Sequence, residues 1–128
     1  MAVAPPTLKR TDPRPVVVDG ADGPLLVGIR CTRCGHPSAT SPPRCARCGG
    51  ETAEARFGPD GTVWATTTIH VASGVREAPY TLAYVDLDDG PRLLAHVQDG
   101  PGLGLRVAER ARLTGETAGG DPRVEVIR

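Results

Sequence analysis

Apolar and polar positions alternate with a period of two along most of this chain, and nowhere is a helical period sustained. Thr62–Ala72 is the longest such stretch. Val63, Ala65, Thr67, Ile69 and Val71 fall on one face; Trp64, Thr66, Thr68 and His70 fall on the other. Tyr80–Leu87 sets Tyr80, Leu82 and Tyr84 opposite Thr81, Ala83 and Val85. Arg92–Gln98 places Leu93, Ala95 and Val97 on one side. Leu105–Leu113 turns Leu105, Val107, Ala111 and Leu113 inward and Arg106, Arg110 and Arg112 outward, and Val124–Ile127 closes the chain. Turn signals separate these runs: Gly58-Pro59-Asp60-Gly61, Asp88-Asp89-Gly90-Pro91 and the Asp99 to Gly102 stretch. Five strands, the first long enough to bend across two sheets, predict a small Greek-key barrel of the OB type, with an all-β sandwich as the competing architecture.

Upstream the texture differs. Residues 1–15 hold Pro5, Pro6, Pro13 and Pro15 without periodicity, which suits an extended arm. Val16–Val18 and Leu25–Ile29 are apolar runs split by Asp19-Gly20-Ala21-Asp22-Gly23-Pro24, a hairpin-like pair, and Thr52–Phe57 reads as a further short strand. Between them lies Cys31 to Cys48, which uses all four cysteines in a C-x2-C-x10-C-x2-C pattern. Two residues between cysteines let both sulfurs of a pair face one ion, and Gly35 and Gly49 follow the pairs where the chain must turn back. The pattern predicts a rubredoxin-like zinc ribbon with Cys31, Cys34, Cys45 and Cys48 as ligands to a structural Zn²⁺. Iron fits the same four ligands. Two disulfides would need an oxidising compartment. MAVAPPTLKR has no apolar signal region, so a cytoplasmic, metal-bound chain is expected. No run approaches the roughly 18 apolar residues of a membrane span. The expected organisation is an arm and hairpin over 1–24, a ribbon over 25–52 and a barrel over 53–128.

The formal net charge is zero, yet residues 1–50 hold seven basic and three acidic side chains, and residues 51–128 hold eight and twelve. Arg30, Arg33, Arg44 and Arg47 surround the cysteines with no carboxylate between Pro24 and Gly50. They either offset a dianionic metal–thiolate centre or offer an anion site for phosphates. A single-stranded nucleic-acid module would need aromatics along a basic groove. This chain has only Phe57, Trp64, Tyr80 and Tyr84, and its barrel half is net acidic. Trp64, Tyr80 and Tyr84 are candidates for a core or for a partner interface.

A catalytic set is not evident. Ser38, Ser41 and Ser73 lack a nucleophile elbow. His36 is redundant beside four thiolates. His70 and His96 sit mid-strand with no obvious paired group. A turn accounts for Asp86, Asp88 and Asp89. No Gly-rich phosphate loop is present, because Pro101 interrupts the Gly100–Gly104 run.

The words "GIRCTRCGHPSATSPPRCARCGG", "GPDGTVWATTTIHV", "APYTLAYVDLDDGPRLLAHV" and "GLGLRV", spread over roughly residues 25–113, resemble the zinc-ribbon/OB-fold family called domain of unknown function thirty-five. The Pro-Pro-Arg lead into the second cysteine pair and the Ala-Pro-Tyr strand opening carry most of that resemblance. Many members place a helical segment before the ribbon, and the signature of one is missing here. The resemblance implies a small, non-catalytic subunit of an acyl-CoA complex, of the kind met in lipid and steroid metabolism. A thiolase-like, aldolase-like or acyltransferase partner would supply the reactive groups, and the acyl-CoA would be met through the complex. The other classes left open are the nucleic-acid module and a rubredoxin-like electron carrier.

Overall fold

A computed structural model of the protein describes residues 14–71, 74, 77–98 and 105–127. The proline-rich arm before Arg14, Ser73 and the Gly100–Gly104 run lie outside the described residues. Among the described residues, nine strands make two sheets. The first sheet holds β1 (Val16–Gly20), β2 (Gly23–Cys31), β3 (Pro37–Ser38) and β4 (Thr52–Phe57). β2 is its axis. β1 pairs with residues 23–27, β3 with Ile29 and Arg30, and β4 with Leu26 to Cys31, all antiparallel. The expected hairpin is therefore β1–β2, and it leads straight into the first cysteine.

The second sheet holds β5 (Asp60–Ile69), β6 (Tyr80–Leu87), β7 (Arg92–Val97), β8 (Arg110–Glu116) and β9 (Pro122–Val126). It closes in the order β5-β6-β7-β9-β8, with β5 also pairing β8 and with β7 and β9 parallel. Closure removes the sheet's edges and excludes the sandwich. The fold is mainly β, an OB-type barrel behind a two-knuckle ribbon. Among the described residues there is no helix, and so none long and apolar enough to cross a membrane.

The core fills the barrel and runs under the first sheet. Val63, Ala83, Val85, Leu87, Leu93, Ala95, Leu105, Ala111, Leu113 and Val124 form one cluster with Leu26 of β2 and Phe57 of β4. The two sheets thus share one apolar interior, which suits a chain too small to build two.

Two details differ from the alternation read along the chain. The register of β5 against β6 shifts between Val63 and Ala65, leaving Trp64 as an extra residue. A bulge flips the parity of everything beyond it. Val63 faces in with Val85, but thereafter Thr66 and Thr68 pair with Ala83 and Thr81, and Ala65 and Thr67 with Tyr84 and Leu82; Thr68 is half-buried there, whereas Thr66 stays exposed near the barrel end. Thr68 and Thr81 hydroxyls lie 3.2 Å apart inside the barrel, satisfying a hydroxyl that is almost wholly buried. Strict alternation could not reveal one inserted residue. The fourth barrel strand also begins at Arg110 and runs to Glu116, rather than spanning Leu105–Leu113. Leu105 is buried as expected, whereas Val107 is exposed on a turn that ends at Ala108, a residue with φ 76°.

Leu113 is fully buried where β8 meets the ribbon sheet, and Leu94 is half exposed on β7. Leu113→Ala is expected to lower unfolding free energy by about 2–5 kcal/mol through transfer and cavity terms. Leu94→Ala should change it by less than about 0.5 kcal/mol. Urea unfolding with a common m-value checks both.

Candidate metal centre and the outer barrel surface

β2 ends in Cys31, and β4 begins four residues after Cys48, so the sheet holds both ends of the ribbon loop. The two knuckles are built alike. Gly35 N–H donates to the Cys31 carbonyl at 3.1 Å and Gly49 N–H to the Cys45 carbonyl at 2.8 Å. Cys31 N–H donates to the His36 carbonyl and Cys45 N–H to the Gly50 carbonyl, each at 3.0 Å. Gly35 and Gly49 have φ of 79° and 76°, a left-handed turn that glycine adopts without a Cβ penalty. The turn points backbone N–H groups at sulfur: Arg33 and Cys34 at Cys31 Sγ (3.3 and 3.4 Å), Arg47 at Cys45 Sγ (3.3 Å).

The four Sγ atoms all lie within 4.8 Å of one another. The tightest pairs are Cys31–Cys48 at 3.5 Å and Cys34–Cys45 at 3.7 Å. None is in a disulfide. Backbone N–H groups, that of Cys34 foremost, outweigh burial and draw the Cys31 thiol down to about 6. The N–H of Cys48 likewise lowers Cys45. Cys48 accepts from Gly50 N–H, but the Cys31 sulfur and burial outweigh that bond and push its thiol up to about 11. Sulfurs this close cannot all ionise without a cation among them. The four residues therefore fit a metal ion, with a donor set that suits zinc or iron. Cys31 and Cys45 are buried, Cys34 and Cys48 exposed, so the centre sits at the rim of the fold.

The surrounding arginines divide in two. Arg33, Arg44 and Arg47 stand exposed on the knuckles. Arg30 is instead a strut between ribbon and barrel. Its guanidinium donates to the Gly35 carbonyl at 2.8 Å and to the Asp89 carbonyl at 2.6 Å, 3.6 Å from the Asp89 carboxylate. It also lies over the Phe57 ring, 5.3 Å from its centroid. One side chain thus ties the first knuckle, the shared core and the β6–β7 turn.

On the outer barrel face Trp64 and Tyr84 are brought together, edge to face, with centroids 5.9 Å apart. Arg92 lies 3.6 Å above the Trp64 ring and is held by Asp86 through bonds of 2.7 and 3.1 Å. Leu94, the register partner of Tyr84, completes the group. Leu94 escaped the sequence reading, although a leucine in the polar phase between Arg92 and His96 was the available signal. Tyr80 is not part of this group. Its ring packs on His96 at 5.7 Å, beside an open cleft of about 950 Å³ that also involves Arg14, Asp121 and Arg123. His96 has the pairing the sequence did not show, Nε2 to Asp121 Oδ2 at 3.5 Å. His70 is exposed just past β5, and His36 enters the knuckle through its backbone carbonyl. Arg110 and Arg112 are outward as expected, and each is bound to a carboxylate, Asp88 and Asp60 respectively. Asp88 is held below the ordinary carboxylate range, chiefly by the Arg110 hydrogen bond.

A two-knuckle four-cysteine centre packed on a closed five-stranded barrel defines a ribbon-and-barrel protein. Residues 54–116 match the model of the ChsH2 C-terminal OB-fold domain. The chain is 33% identical over 79 residues to a DUF35 domain-containing scaffold protein of Methanocaldococcus jannaschii, covering 58% of this chain. It is 29% identical over 97 residues to the benzoylsuccinyl-CoA thiolase subunit BbsA of Thauera aromatica, covering 73% of this chain. It spans about half of the first relative's length, 55%, and 67% of the second's. Among solved structures, an Ltp2–ChsH2(DUF35) aldolase superposes with a TM-score of 0.66 at 22% identity, over 79% of this chain and 84% of that one. A DUF35-family protein from Sulfolobus solfataricus superposes at 0.58 and 17% identity, over 79% and 75%. The chain is thus similar in sequence to a DUF35 scaffold protein and in fold to DUF35-family structures.

Arg30→Gln removes two charge-assisted bonds and the contact with Phe57. It is expected to cost about 1–3 kcal/mol of stability, while Arg47→Gln should cost less than about 0.5 kcal/mol. Guanidinium unfolding of the metal-loaded chain checks the pair.

Proposed function

We propose that this chain is a non-catalytic, zinc-binding accessory subunit of a heteromeric acyl-CoA-processing complex, paired with a thiolase-like or aldolase-like enzyme in the cytoplasm. The observation that carries this reading is kinship: 73% of the chain aligns with a subunit named for a CoA-ester thiolase. The site supports it. Four thiols directed at one ion make a closed shell, and a closed shell leaves no coordination position for substrate. Zinc is the proposed ion because a closed shell of four cysteine thiolates is its common structural arrangement. Its role would be to hold the ribbon, a contribution on the order of 10 kcal/mol in small zinc modules. A four-thiolate metal site suits a reducing compartment such as the cytoplasm. Arg33, Arg44 and Arg47, exposed beside the centre, are carried forward as contacts for CoA phosphates; Arg30 is already engaged by carbonyl oxygens.

Co-expression with a thiolase-like protein encoded by a neighbouring gene should give one co-eluting complex with one zinc per copy of this chain. The chain alone should not turn over a CoA thioester. Separate elution, with full activity in the larger protein alone, would contradict the proposal.

In that complex, Arg44→Ala with Arg47→Ala should weaken CoA-ester binding by about 3–10-fold at low salt and by much less in high salt, because exposed charges are screened. Isothermal titration at two ionic strengths reads the difference. Equal binding in both proteins would leave these arginines as counter-charges to the metal centre.

A further inference from the structure

We propose that the outer face of β5, β6 and β7 formed by Trp64, Tyr84, Arg92 and Leu94 seats an uncharged, apolar recess of the larger enzyme subunit; this rests on the accessory-subunit reading above. Trp64 is 50% exposed, Leu94 45% and Tyr84 42%. They are contiguous. Tyr84 and Leu94 are register partners on neighbouring strands, and Tyr84 also pairs with Ala65, next to Trp64. A large exposed indole, phenol and leucine in one place is unusual for a surface with nothing to bind.

The group is built before any partner arrives. Trp64 lies outward at the β5 bulge, in the phase opposite buried Val63. Tyr84 braces its edge, and Arg92 covers one face at 3.6 Å while Asp86 fixes the guanidinium at two points. Ordering these side chains on binding therefore loses little conformational freedom. Trp, Tyr and Arg are also the residues over-represented at energetic centres of interfaces.

Charge selects the occupant. Arg92 is closed by Asp86 at 2.7 Å, Arg110 by Asp88 at 2.5 Å and Arg112 by Asp60 at 2.8 Å. The face thus presents aromatic and aliphatic surface whose guanidinium groups are already compensated. A single-stranded nucleic acid would want free cations along the stacking aromatics. An acidic peptide would have to displace bidentate carboxylates. An uncharged protein recess matches what is offered. The face also lies within residues 54–116, the segment shared with the OB-fold domain model.

Trp64 is the only tryptophan in the chain, so a 5-fluorotryptophan label reports on this face alone. Titrating the labelled, zinc-loaded chain with the unlabelled thiolase-like protein should shift or broaden its single fluorine resonance. Leu94→Asp and, separately, Tyr84→Ala should weaken co-elution by at least about 30-fold, whereas Val107→Asp, exposed on the β7–β8 connection, should stay within about twofold. Urea midpoints show that the variants are folded, and Tyr84→Ala stands in if Leu94→Asp fails that check. A complex that forms with an unmoved resonance and tolerates both variants overturns the docking face and leaves the subunit reading intact. A parent chain that does not bind overturns both. Resonance changes produced by the chain's own concentration, or by an oligothymidine, with none from the partner, also overturn the face.

Discussion

Four sulfurs converge to within 4.8 Å of one another at the rim of this small fold, and that convergence is the constraint on which the ribbon depends. Thiolates so close repel, and backbone N–H groups only partly compensate. A bound cation turns the repulsion into four bonds. Without it, the loop between Cys31 and Cys48 has a two-residue strand and the two knuckle turns to hold it, and little apolar burial. An ion held there would order the loop, as in other small metal modules.

From the centre the constraint passes outward through contiguous groups. Cys31 is the last residue of β2, and β2 carries Leu26 into the common core. The carbonyl of Gly35, in the first knuckle, is held by Arg30, which also grips Asp89 in the turn between β6 and β7 and covers Phe57. That turn is flanked by Asp86 and Arg92, which set the indole of Trp64. Metal centre and aromatic face thus stand at two ends of one packed route, and the barrel between them is closed.

Much of this was legible in the residues. The cysteine spacing named the centre and its four members, because glycine after each pair is a local requirement of the turn. The barrel strands were legible because one side of each is buried, so period two survives in Thr81, Ala83 and Val85 and in Leu93 and Ala95. The bulge at Trp64 was not, since an inserted residue leaves no compositional mark and inverts the phase beyond it. The strand placed at Leu105 actually starts at Arg110, because Arg106 to Glu109 make a turn, with a hydrogen bond from Glu109 N–H to the Arg106 carbonyl. Arg30 looked like its three neighbours in sequence. Only the fold brings Asp89, 59 positions away, against it. The pairing of His96 with Asp121 is equally a product of the parallel β7–β9 contact.

The central claim is that these four thiolates hold one zinc ion in a closed shell that serves the fold and not the chemistry. X-ray absorption at the zinc edge of the purified, reduced protein tests it most directly. The account predicts a single shell of four sulfurs at about 2.3 Å, unchanged when a CoA thioester is added. A light-atom ligand in that shell, its replacement on adding the thioester, or a fully folded chain with no metal at all would contradict it.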